Sequence, residues 1–176
     1  MGPGKNLEVH VYIKFKEAII MKIGIIFYSH TGNTYTVIKR LEKELSQEGH
    51  EVNIERLEPL DKDEVKPGTK NIKYKNLPDL DNYEGYVFGS PVQAFSLCSG
   101  MKSYLKQIES LENKKTFCFV TKGLPFNWTG GTRAIKQFKN LLEAKRANIL
   151  EEGIVKWSTN KENDIDKLVN KVKRIF

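Results

Sequence analysis

The chain predicts a three-layer α/β/α domain, doubly wound around a five-stranded parallel sheet in the order 2-1-3-4-5. Three observations point there. Short, continuously apolar runs recur along the sequence, as strands buried on both faces require. Stretches with the 3.6-residue period of amphipathic helices lie between them. Loops rich in Gly, Ser, Thr, Pro and Asn follow the first, third and fourth apolar runs, and in a parallel sheet these all open on one carboxyl edge.

The first strand is Ile23 to Phe27, and the first helix runs from Asn33 to Glu48 with Val37, Ile38, Leu41 and Leu45 on one face and Gly49 as its stop. Glu51 to Leu57 reads as the second strand. Residues 58–82 are polar and aperiodic, which predicts coil with a short helix or turn inside it. Gly85 to Ser90 is a short buried strand. The following helix, Ser99 to Ser110, gathers Met101, Tyr104, Leu105 and Ile108 on one side. Thr116 to Thr121 is the fourth strand, and the next helix carries Ile135, Phe138, Leu141 and Leu142. Ile149 to Trp157 is the last strand, with a break or bulge expected near Gly153. The final helix places Ile165, Leu168, Val169, Val172 and Ile175 on one face.

The first turn carries the chemistry. Ser29-His30-Thr31-Gly32-Asn33-Thr34 stands where a buried strand meets a helix N-terminus. Free N–H groups and the positive end of the helix dipole make that place an anion site. Hydroxyls add donors without charge, and Gly32 lets the backbone approach closely. There is no GxxxxGK[ST] loop and no GxGxxG turn, so a terminal monophosphate suits it better than a triphosphate or a dinucleotide. Helix capping is the plainer reading, but capping needs one acceptor side chain and this turn supplies four candidates around a glycine.

These residues resemble the flavodoxin-like family, whose first flavin mononucleotide (FMN) loop reads [ST]-x-T-G-N-T. Ser29, Thr31, Gly32, Asn33 and Thr34 match it fully. The family's second loop reads roughly G-S-P-V-Y-x-G; Gly89, Ser90, Pro91 and Val92 match, while Gln93 replaces the usual aromatic and Phe95 the usual glycine. The resemblance implies that Ser90 to Phe95, with Ala94 between, lies along the flavin ring. It also implies that the third loop contributes Lys122, Gly123, Phe126, Trp128 and Gly130, the two aromatics contacting the ring. At Phe95 a side chain makes a positive φ costly where glycine leaves it free. That tilts the expectation toward electrons moving in pairs.

The resemblance spans most of Lys22 to Phe176 and implies an FMN-binding redox protein, with no catalytic side chain and no metal. An electron carrier and an NAD(P)H-dependent oxidoreductase of the quinone or flavin reductase type are the competing forms. The partner is accordingly a redox protein or NAD(P)H, and the chain acts as a monomer or homodimer. Other chemistries of this fold lack their residues: Tyr28-Ser29 stand where a receiver domain needs paired acids, and neither cysteine begins a Cys-x5-Arg phosphatase loop.

With 176 residues, 39% hydrophobic and 29% charged, the chain reads as one soluble domain at 21–176. No signal peptide or membrane-spanning run is recognisable, and the two cysteines, of which Cys118 reads as core, do not make a disulfide scaffold, so cytoplasm is the expected compartment. The net charge is +7, yet no nucleic-acid motif accompanies it. An anionic cofactor or an acidic redox partner fits that balance. Residues 1–20 form an extension with two readings. Val9, Val11, Ile13 and Phe15 alternate as in an edge strand. Alternatively, Lys16-Glu17-Ala18 encodes a purine-rich ribosome-binding run ahead of a natural start at Met21.

Overall fold

A computed structural model describes residues 19–126 and 128–176. The edge strand or leader expected at the N-terminus falls almost wholly outside the described residues. From Met21, which is buried, the chain enters strand β1 (Lys22–Phe27), then helix α1 (Asn33–Gln47) and strand β2 (Glu51–Arg56). Strand β3 (Gly85–Gln93) and the two-residue β4 (Ser96–Leu97) precede α2 (Ser99–Gln107). Then come β5 (Lys115–Lys122), α3 (Gly131–Ala144), β6 (Asn148–Lys156) and α4 (Lys161–Ile175).

The main sheet runs β2-β1-β3-β5-β6, all parallel, with β4 antiparallel to the end of β3. With β4 set aside, this is the expected order. β1, β3 and β5 are almost wholly buried, as central strands covered on both faces must be. Two apolar layers cover the sheet. One joins Phe88, Tyr86 and Val120 to Met101, Tyr104 and Leu105 of α2 and to Phe138 and Leu142 of α3. The other joins Ile23, Ile25, Phe117 and Phe119 to the α1 stripe and to Ile165, Leu168, Val169 and Val172 of α4.

Four details depart from the sequence reading. β3 runs three residues past Ser90 to Gln93, because it continues as a hairpin with β4. α2 stops at Gln107, since Ile108 is extended at ψ 153°. The segment 58–82 holds two single turns of 3-10 helix, 62–64 and 80–82, and an isolated bridge between Pro59 and Tyr74. The irregularity in β6 is at Leu150, where Thr116 pairs with Ile149 but Phe117 pairs with Glu151. Gly153 pairs regularly with Phe119. It is glycine for closeness: a Cβ there would sit 2.9 Å from Leu168 Cδ1 and 3.3 Å from Phe117 Cζ.

Candidate functional site

Helix α1 starts on Gly32, held at φ 94° and ψ −8°. The capping position itself makes no side-chain hydrogen bond, and no acidic residue stands in the first turn. Gly32 offers no side chain to the first N–H groups, which have no intrahelical acceptor. Ser29 Oγ makes one long contact, accepting from the Tyr35 N–H at 3.4 Å. Thr36 Oγ1 donates back to the Gly32 carbonyl.

The turn opens into a cavity of about 310 Å³, within the size range of cofactor sites. All three special loops reach it: His30, Thr31 and Asn33 from the first, Pro91, Val92 and Gln93 from the second, Lys122 and Gly123 from the third. Tyr28, Val65, Cys98 and Thr121 complete the lining. No carboxylate is among these residues. The wall is donors and apolar surface around one buried lysine and one exposed histidine.

The other expected site residues lie behind or beside the cavity. Thr34 is buried, and its hydroxyl is 2.9 Å from that of Thr121, tying the first loop to the end of β5. Ser90 is buried and donates to the Pro91 carbonyl at 3.2 Å. Ser29 lines an adjoining cavity of about 220 Å³ with Arg56, Glu58 and Lys62, and Arg56 donates to the Ser29 carbonyl at 3.2 Å. Ala94 and Phe95 form the tip of the β3–β4 hairpin at φ 47° and 59°. Positive φ at Phe95 reads from the sequence as costly, but the chain holds it there, because this hairpin tip has left-handed backbone at both positions, as a type I′ turn requires. Gly130 packs beneath that tip: a Cβ on it would lie 2.4 Å from Phe95 Cα. Phe126 and Trp128 are outside the cavity lining, stacked on each other with centroids 5.8 Å apart and planes 10° off parallel.

Two polar side chains hold the cavity together. Gln93 donates to the Val65 carbonyl at 2.9 Å and accepts from the Ser99 N–H at 3.1 Å, which fastens the irregular 58–82 segment to the hairpin. Lys122 donates to the Thr129 hydroxyl at 2.8 Å and to the Phe126 carbonyl, closing the third loop. Burial, and then the Lys156 charge, push the Lys122 ammonium below the usual lysine range. Burial pushes the Cys98 thiol up to about 11, so it lines the wall as a protonated, inert group.

Among the lining residues that sequence reasoning missed, Tyr28 and Thr121 directly adjoin predicted loops at strand ends and were legible by position. Val65 was not, because it comes from an aperiodic segment with no local signal.

A family model described as flavodoxin matches residues 25–169. The chain belongs to the flavodoxin family. Its fold matches the oxidised flavodoxin 2 of Bacillus cereus with a TM-score of 0.64 at 21% identity, covering 88% of this chain and 97% of that one. A flavoprotein of Lactobacillus acidophilus NCFM in complex with FMN gives a TM-score of 0.59 at 17% identity, over 84% and 97% of the two chains. A flavodoxin of Streptococcus pneumoniae gives 0.63 at 16% identity, over 87% and 96%.

The donor set of this flavodoxin-family chain fits a phosphorylated, planar cofactor. A helix N-terminus opening on Gly32, with hydroxyl neighbours and no carboxylate in the cavity lining, matches a phosphate. The slot between Pro91-Val92-Gln93 and Lys122-Gly123 offers flat backbone and apolar surface for a ring.

Proposed function

We propose that the cavity binds FMN and that the protein passes electrons through it to a redox partner. One observation carries the reading: in a flavodoxin-family chain, three loops meet at a donor-lined cavity that begins at the Gly32-started N-terminus of α1. Bound FMN supplies reversible electron transfer, which no side chain here can perform. Thr31, Asn33 and the first N–H groups of α1 would hold its phosphate. Pro91, Val92, Gln93 and Gly123 would flank its ring and exclude water from one side. Lys122 keeps the third loop closed and places a cation at the wall, which favours electron-rich forms of the ring.

A second reading, the NAD(P)H-dependent oxidoreductase, draws support from the adjoining cavity. It shares Tyr28 and His30 with the first and carries Arg56 and Lys62, a pair suited to an anionic second substrate. The test begins with binding. FMN should bind more tightly than FAD or riboflavin, and Thr31→Val should weaken FMN about tenfold while leaving riboflavin nearly unchanged, as losing one hydrogen bond to a charged oxygen implies. Equal losses for both ligands would remove the phosphate from this turn. Steady NADPH oxidation with a quinone acceptor, lost in Arg56→Ala, would favour the second reading over the carrier.

A further inference from the structure

The chain's positive charge is concentrated in one stretch of its sequence. Residues 85–142, which supply the second and third loops, hold eight Lys or Arg against two acids, Glu109 and Glu112. That surplus of six nearly equals the net charge of +7 for the whole chain. Burial, and then the charges of Arg133 on α3 and Lys106 on α2, push the Lys102 ammonium below the usual lysine range. Lys106 and Arg133 are exposed, and none of the three forms an ion pair among the described residues. Exposed like charges on neighbouring helices add up to a positive local potential that draws acidic partners.

An apolar cluster beside the second and third loops adjoins Lys102 and the start of α3, where Arg133 stands. Phe95 is 52% exposed, Leu124 55%, Phe126 57% and Trp128 77%. Phe95 sits on Gly130, one residue before α3 begins, and Lys102 donates to the hydroxyl of Ser96, next to Phe95. Exposed apolar groups flanked by charge of one sign are the pattern of a steered docking surface: the apolar part gives contact and the charged flank gives on-rate and choice of partner. We infer that the hairpin tip, the third loop and the α2–α3 cations form the docking surface for an acidic redox protein, one that presents carboxylates around its own redox centre. The redox character of the partner rests on the flavin reading above; the surface itself does not. A membrane or nucleic acid is disfavoured by the shape: four apolar groups gathered on one loop and one hairpin tip, with the cations to one side.

The test measures binding of a fluorescently labelled plant-type [2Fe–2S] ferredoxin, a small acidic protein, by anisotropy on FMN-loaded and FMN-free samples. Binding should be clear at about 20 mM ionic strength and fall at least tenfold at about 300 mM, where the screening length shrinks severalfold. Lys106→Glu with Arg133→Glu should weaken it by tenfold or more, and the neutral pair Lys106→Gln with Arg133→Gln by less. Trp128→Ala should weaken it at both salt concentrations. A basic c-type cytochrome should not bind. Tighter binding of that cytochrome, or an affinity untouched by the Glu pair, overturns the surface. Displacement of ferredoxin by duplex DNA or phosphatidylserine vesicles at lower charge concentration reassigns the patch and overturns it too. Visible absorbance of the same samples reports FMN separately: ferredoxin binding without FMN sinks the cofactor reading alone, and FMN without ferredoxin binding sinks the surface alone.

Discussion

Tyr104 is fully buried, and its hydroxyl lacks a hydrogen-bond partner among the described residues. Its ring is well used, meeting Tyr74 edge-on with centroids 6.1 Å apart. A buried donor without an acceptor loses its hydration and regains nothing, so Tyr104→Phe keeps the packing and removes the penalty. The expected result is a gain of about 1 kcal/mol in unfolding free energy, read from the urea midpoint at constant slope. A loss of that size would mean that the hydroxyl has a bonded partner in solution. Lys122 is the opposite case: equally hidden, but held by the Thr129 hydroxyl and the Phe126 carbonyl.

At the scale of elements, the two helices that begin at the site start alike. α1 and α3 both open on a left-handed glycine, Gly32 at φ 94° and Gly130 at φ 96°, without a side-chain cap. Their surroundings differ. An added Cβ meets nothing within 4 Å at Gly32 but lies 2.4 Å from Phe95 Cα at Gly130. Gly32→Ala should therefore cost about 1–2 kcal/mol, the left-handed penalty alone. Gly130→Ala adds a backbone collision and should cost roughly 3 kcal/mol or more. Paired denaturation curves check this, and equal losses would mean that the hairpin tip yields freely.

The helices were legible in the sequence because each apolar stripe repeats at 3.6 residues: the buried faces of α1 and α4 are the expected ones. The loops that build the cavity were legible because their Gly, Ser and Thr content departs from any periodic face. The β3–β4 hairpin was hidden, since Ala94 and Phe95 are not the Asn-Gly type of residues that announce a two-residue turn. Gly153 looked like a strand break because its reason, the approach of Leu168, lies in a distant helix. Loop composition marks Phe126 and Trp128 as aromatics of the third loop but does not specify their placement, stacked on each other outside the cavity lining.

Across the whole molecule, burial shapes the titration of the core. The structure raises Tyr74 and Tyr83 to about 12, Cys98 to about 11 and Cys118 to about 12, all chiefly by burial. Tyr28, Tyr86 and Tyr104 move the same way for the same reason. In each, the folded chain holds its proton to higher pH than the unfolded chain does. Their contribution is therefore complete below the unfolded pKa values and is lost as pH rises toward the folded ones. Lys102 and Lys122, lowered by burial, act oppositely and add stability as pH approaches the ordinary lysine range. The raised phenols and thiols outnumber them. Stability should hold up to about pH 9 and then fall, by about 1.4 kcal/mol per pH unit for each group between its two pKa values. Urea midpoints taken from neutral pH upward, alongside tyrosinate absorbance, measure this. Tyr83→Phe should make the alkaline fall shallower, because it removes one raised phenol, the one that donates to Glu55 at 2.5 Å. A midpoint that stays constant while the tyrosines ionise would show that these phenols open to water without unfolding the chain.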